Sequence, residues 1–308
     1  MTNPVADKLV PTGVELGIYE KALAWPGTWD EFFASAADAG FSFVDLSVDE
    51  SPQRVARLDW TARERAEVRG AAERHNIALG GLCLSVHRRI APGSADPALH
   101  RQAIDVLIRG IDLCWHLGIP ILQLAGYFAY YEQPDEHARS RYVQVLRAGA
   151  RHAARRGVML GIENVDGSDV TSISRAMEVV REIKSAWLRL YPDIGNLTER
   201  SMDVVSELAA GQGHMLAIHV KDTRPGEPRR VPMGEGSVPW QDAFDELARQ
   251  RWSGRIMIEM WNDDDPASAV IAADGRRFIT EQLARAGIKV ISAGTRAPTD
   301  VELGGPRG

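Results

Sequence analysis

The chain has 308 residues, 44% hydrophobic and 25% charged, which excludes wholesale disorder and suits one large α/β domain. Thirty-six basic against 42 acidic residues give a formal net charge of −6, so a nucleic-acid-binding face is not expected. No run approaches the ~20 apolar residues of a membrane-spanning helix, so no membrane partner is expected either.

In chain order, the first segment, 1–13, is expected to be flexible. It carries Asp7 and Lys8 and does not read as a secretory leader. Short aliphatic or β-branched runs then alternate with segments of helical period. A first strand at Val14–Ile18 precedes a helix opened by the capping box Thr28-Trp29-Asp30-Glu31. A second strand at Phe41–Val48 leads to a helix over 61–75, and a third at Ile77–Ser85 to a helix with Ile104, Leu107, Ile108, Ile111 and Cys114 on one face. The fourth strand, Ile119–Gly126, is followed by a helix with Tyr142, Val145, Leu146, Gly149 and Ala153 aligned and Gly157 as its stop. Strands at Val158–Glu163, Leu188–Ile194, Met215–Val220 and Arg255–Met260 alternate with helices near 172–185, 202–210, 240–250 and 266–286. The tail, 293–308, is polar and expected to fray.

Eight strand–helix units predict a (β/α)8 TIM barrel, one domain over 14–292. The nearly continuous apolar runs suit strands buried on both faces. A doubly wound open sheet is the competing arrangement. No Gly-x-Gly-x-x-Gly follows the first strand, which weakens it and argues against a nucleotide cofactor. Cys83 and Cys114 lie inside apolar runs and read as buried thiols of a reducing compartment, the cytoplasm.

Active sites of such barrels lie at the C-terminal ends of the strands. There the fifth run ends in Glu163, the sixth in Asp193 and the eighth in Glu259, while the seventh carries His219. Consecutive barrel strands are neighbours, so three acids and an imidazole are expected to converge. Buried carboxylates brought together repel unless a cation neutralises them. Carboxylates favour Mn²⁺ or Mg²⁺, and the imidazole admits Zn²⁺ or Co²⁺. Lys21 after the first strand and Ser85-Val86-His87-Arg88-Arg89 after the third share this rim. They are either a phosphate cradle or a solvated basic loop. Gly234-Glu235-Gly236 reads as a plain turn into a helix.

These residues stand in strings that resemble the L-ribulose-5-phosphate (L-xylulose-5-phosphate) 3-epimerases, members of the xylose isomerase-like barrels. The strings are GIYEKAL (17–23), FVDLSVDES (43–51), ARLDW (56–60), CLSVHRR (83–89), ILQLAGY (121–127), SISRA (172–176), LYPDIGNL (190–197), HVKDTRPGE (219–227), VPMGEG (231–236) and IEMW (258–261). They span about 15–287. The resemblance implies one divalent metal held by Glu163, Asp193, His219 and Glu259, with Glu163 and Glu259 also the acid/base pair. It implies phosphate binding by Lys21, His87, Arg88 and Arg89, with Lys221 and Arg224 as further candidates, and a homodimer. Asn164-Val165-Asp166-Gly167 departs from the family pattern.

The implied reaction interconverts L-xylulose 5-phosphate and L-ribulose 5-phosphate. One carboxylate removes the C3 proton, alpha to the C2 carbonyl, and the other returns it on the opposite face through a metal-stabilised enediolate. An aldose–ketose isomerase and an epimerase of non-phosphorylated ketoses are the nearest alternatives. A repair endonuclease would need a basic face and more metal ligands, and a silent sugar-binding protein would not need two glutamates.

Overall fold

The computed structural model describes residues 13–262 and 264–291. The expected flexible segments, 1–13 and 293–308, fall almost wholly outside them. Eight parallel strands form the barrel: β1 (Val14–Tyr19), β2 (Phe43–Ser47), β3 (Ala78–Cys83), β4 (Ile121–Ala125), β5 (Met159–Glu163), β6 (Leu188–Leu190), β7 (Ala217–Val220) and β10 (Gly254–Ile258). Neighbouring strands run β6-β5-β4-β3-β2-β1-β10-β7, and single parallel bridges Leu190–Met215 and Asp193–His219 join β6 to β7. This is the expected (β/α)8 architecture. Around it lie α1 (Trp29–Asp38), α2 (Pro52–Val55), α3 (Ala62–Arg74), α4 (Pro97–Leu117), α5 (Ala138–Arg156), α6 (Ile173–Ile183), α7 (Ile194–Glu199), α8 (Val204–Ala210), α9 (Trp240–Arg249) and α10 (Ser268–Arg285). Among the described residues no helix is long and apolar enough to cross a membrane.

Burial divides the side chains by strand period. Leu16, Ile18, Val44, Leu46, Leu82, Leu122, Leu160, Ile218 and Ile256 pack outward against the helices. Tyr19, Phe43, Cys83, Ile121, Tyr191, Ala217 and Met257 fill the inside of the barrel. Alternate residues of a strand point to opposite faces, so a strand buried on both sides is apolar throughout.

Three local expectations change. The sixth strand is three residues long, not seven, because Asp193 caps α7: its Oδ1 accepts from Asn196 N at 2.9 Å. At Thr28 only half a capping box forms. Thr28 Oγ1 accepts from Glu31 N, but Glu31 Oε2 accepts from the Thr28 hydroxyl and not from its backbone N–H. A complete box forms at Thr61 and Glu64. The segment between β7 and α9 is assigned no strand by the sequence. It holds an antiparallel hairpin, β8 (Asp222–Arg224) and β9 (Glu227–Val231).

The loops after β1 and β2 are locked together by one buried carboxylate. Glu20 accepts from Arg57 Nη1 (2.5 Å), Arg54 Nε (2.8 Å) and Ser47 N (2.7 Å). Burial pushes this carboxyl up, but Arg57 and then Arg54 pull it down further, so it ends below its usual range. The group therefore stabilises the fold fully above an ordinary glutamate pKa and loses that contribution as pH falls through its lowered folded value. Glu20→Ala, which strands a buried guanidinium, is expected to cost about 3–5 kcal/mol in denaturant unfolding. A loss under about 1 kcal/mol would show that the network is not what holds these loops.

Candidate metal and sugar site

One ligand atom from each of Glu163, Asp193, His219 and Glu259 lies within 4.8 Å of the others at the barrel mouth. Each arrives by a different device. Glu163 is the last residue of β5, and His219 lies in β7. Asp193 is carried by the turn into α7, and Glu259 follows β10, its N–H donating to Val220 O at 2.9 Å.

Asp193 is set by an amide clamp. Asn164 Oδ1 accepts from Asp193 N and Asn164 Nδ2 donates to Asp193 O, both at 2.9 Å. Asn196 Nδ2 in turn holds Asn164 O at 2.9 Å. The unfamiliar segment after Glu163 thus fixes the backbone of the next acid around the barrel. Gln123 of β4 donates to Glu163 Oε2, and Glu163 Oε1 faces His219 Nδ1 at 2.9 Å.

The electrostatics of the cluster call for positive charge. Lys221 places its ammonium 2.9 Å from both Asp193 Oδ2 and Glu259 Oε2, a cation among three acids. Burial pushes Asp193, which is 0% exposed, up to about 7 even with Lys221 beside it. Burial would also raise Glu259, but Lys221 and His219 overcome it and hold that carboxyl down, at about 2. Lys221 sits equally close to both acids, and with His219 it sets two positive charges against three carboxylates. For His219 burial disfavours the proton, yet Glu163 wins and raises the ring to about 9. A set of oxygen donors and one imidazole, with too little positive charge of its own, fits a divalent ion.

The other predicted residues divide. Arg88 stays at the mouth, its guanidinium 5.4 Å from the rings of Tyr127 and Tyr130, and its Nε has no hydrogen-bond partner. Its charge acts on Glu163 and Glu259. Lys21 lies 5.7 Å from the Tyr19 ring, paired with Asp49 at 2.5 Å. His87 turns inward: buried, it places Nε2 3.1 Å from Ala103 O of α4, and burial lowers its pKa to about 4. Arg89 is exposed. Arg224 is spent on the hairpin, bonding Glu235 O and Glu227. The glycine turn is organised by Asp222 Oδ2, which accepts from Gly234 N and Gly236 N at 2.8 and 3.0 Å.

Sequence reading missed Arg229 on β9. It pairs with Asp166 at 2.7 Å, its charge acts on Arg88 and Glu259, and Tyr127 OH donates to the same Asp166. The segment EPRRV carries no alternation of apolar residues that would mark this strand. A cavity of about 310 Å³ reaches the cluster between the hairpin and the start of α10, lined by Lys221, Glu259, Trp261 and Asn262 among others. Trp261 meets the Tyr19 ring edge-on, and Lys221 Nζ lies 5.7 Å from it.

Residues 33–289 match the family described as xylose isomerase-like TIM barrel. The L-ribulose-5-phosphate 3-epimerase UlaE of Salmonella paratyphi A is 38% identical over 275 residues, 89% of this chain and 97% of that protein. The protein of the same name from Escherichia coli O157:H7 is 39% identical over 277 residues, again 89% and 97%. The chain belongs to this family of isomerase-class carbohydrate epimerases. Solved structures share its fold at low identity. An L-ribulose 3-epimerase superposes with a TM-score of 0.73 at 17% identity, covering 89% of this chain and 96% of its own. A D-psicose 3-epimerase from Clostridium cellulolyticum H10, solved with D-tagatose, gives 0.74 at 15%, covering 88% and 99%.

If the four donors hold an ion, binding stabilises the folded chain by mass action. Mn²⁺ at a hundred times its Kd is expected to add about 2.7 kcal/mol and raise Tm by roughly 5–10 °C. Scans with Mn²⁺, Mg²⁺, Zn²⁺ and Co²⁺ against chelator read this directly. No shift with any of the four would contradict a metal centre.

Proposed function

We propose that the chain is a divalent-metal-dependent 3-epimerase that interconverts L-ribulose 5-phosphate and L-xylulose 5-phosphate. The observation that carries this reading is the pairing of Glu163 and Glu259 at one four-donor cluster. Epimerisation at C3 needs two carboxylates that reach one carbon from opposite faces. The names of the relatives support the substrate.

The residues divide the work as follows. Glu163, held by Gln123 and His219, and Glu259, held by Lys221, exchange the C3 proton with the two faces of the ketose. Lys221 keeps Glu259 ionised and therefore able to accept a proton. Asp193 and His219 serve as holding ligands, oriented by Asn164 and by β7. When bound, the ion supplies Lewis-acid polarisation of the C2 carbonyl and charge stabilisation as C3 loses its proton. Trp261 gives the cavity an aromatic wall, backed edge-on by the Tyr19 ring.

For the phosphate we assign Arg88 and Arg229. Both guanidiniums act on the same glutamate, and Asp166 holds Arg229 in place. Two guanidiniums close enough to act on each other suit a dianion between them. Lys21 adds its charge from the Asp49 side, while His87 and Arg224 are committed elsewhere. The free buried thiols Cys83 and Cys114 support a cytoplasmic setting.

Glu163→Gln and Glu259→Gln are each expected to lower kcat about 10³-fold or more with metal replete. Turnover within tenfold of wild type in either variant would defeat the two-base scheme. Arg88→Ala and Arg229→Ala are expected to raise KM for the 5-phosphate by roughly 10–100-fold and leave kcat on the unphosphorylated pentulose unchanged. An unchanged KM in both would remove the phosphate from this rim.

A further inference from the structure

Directly inside the barrel from the four donors lies a second group of polar side chains that the proposed reaction does not use. Asp45 on β2 is 1% exposed. Its Oδ2 accepts from Tyr191 OH at 2.6 Å, and its Oδ1 has no hydrogen-bond partner. His219 Nε2 has none either. An Asp45 oxygen, a His219 ring nitrogen and Cys83 Sγ lie within 4.8 Å of one another. The Tyr191 ring meets the imidazole edge-on at 4.4 Å. One buried acceptor and one buried imidazole nitrogen are thus orphaned in the same space. Leaving such groups unpaired costs about 1–3 kcal/mol each.

The backbone is built to admit this carboxylate. Pairing of β2 with β3 shifts register between Val44 and Asp45. On β3, Gly80 and Gly81 stand opposite. A Cβ on Gly81 would run into Asp45 Oδ2, while one on Gly80 would meet the Phe43 ring first and then Asp45 Oδ1 at 2.7 Å. A side chain at 81 is therefore given up to seat this carboxylate, and one at 80 to seat it together with the Phe43 ring. Stability alone does not account for that, because an apolar residue of similar size would serve a core better. A second metal at this group is disfavoured: burial pushes the Cys83 thiol well up, so no thiolate is offered.

We propose that Asp45 is a positioning residue for the metal ligand His219, its Oδ1 and the Nε2–H joined through one shared water. A water bonded to both at about 2.8 Å spans roughly 4.5 Å, inside the 4.8 Å within which an Asp45 oxygen and a His219 ring nitrogen lie. The bond fixes the proton on Nε2 and leaves Nδ1, which faces Glu163, free for the ion. Outer carboxylates of this kind orient the ring and raise its basicity as a ligand. Tyr191 holds the other oxygen and sets the angle of the carboxylate.

The inference rests on the metal-dependent reading, and the test separates the two. Asp45→Asn keeps size and shape and removes the charge. Its Kd for Mn²⁺, titrated into chelator-stripped protein, is expected to weaken about 10–100-fold, with Tm of the metal-free form no lower than wild type. In the wild type loaded with Zn²⁺, ¹⁵N-histidine NMR is expected to show His219 protonated at Nε2 and not at Nδ1. That readout needs no variant to fold. An Asp45→Asn Kd within twofold of wild type, or a wild-type ring without a proton on Nε2, overturns the proposal alone. Failure of the wild type to bind any divalent ion overturns it together with the functional reading.

Discussion

Three carboxylates meet at the mouth of this barrel with their oxygens within 4.8 Å of one another and largely shut off from water. In water such charges would be screened. Here each raises the cost of ionising the next, and the site holds together only if positive charge is supplied. Lys221 supplies one unit between Asp193 and Glu259, and His219 supplies another against Glu163. One negative charge is left over, and a further cation is what that balance still calls for.

Much of this was legible from strand ends. Glu163, His219 and Glu259 close or occupy apolar runs, and a closed parallel barrel brings the ends of neighbouring strands to one rim. Asp193 was found for a partly mistaken reason. It does not end a long strand but caps a helix, and it reaches the cluster because Asn164 grips both its N–H and its C=O. His87 misled because a basic run after a strand reads as rim. In a tight 3₁₀ turn at Ser85–Arg88, the third residue faces the core while the fourth stays outside. Arg229 had no signal, since a short charged hairpin lacks the apolar alternation that marks a buried strand. Gly80-Gly81 did carry one: paired glycines inside a strand mark a close approach, here by Asp45.

The fold is shared with ketose epimerases of 15–17% identity, so the barrel itself does not set the substrate. What can set it lies in the segments over the mouth. The β8–β9 hairpin brings Arg229 over the mouth, and the 3₁₀ turn after β3 brings Arg88 beneath Tyr127 and Tyr130. In the reading proposed above, the chemistry falls to the rim of the barrel and the recognition of a charged sugar to these two segments. Asp45 and the two glycines form a third layer below both, where a buried charge acts through His219.

The central claim is that a proton is exchanged at C3, and solvent labelling tests it most directly. Metal-loaded protein is incubated with L-ribulose 5-phosphate in D₂O, and the sugars are followed by NMR. The account predicts L-xylulose 5-phosphate as product, with deuterium entering at C3 of both ketoses and nowhere else. Deuterium at C1 with an aldose phosphate formed, or conversion with C3 unlabelled, would contradict it.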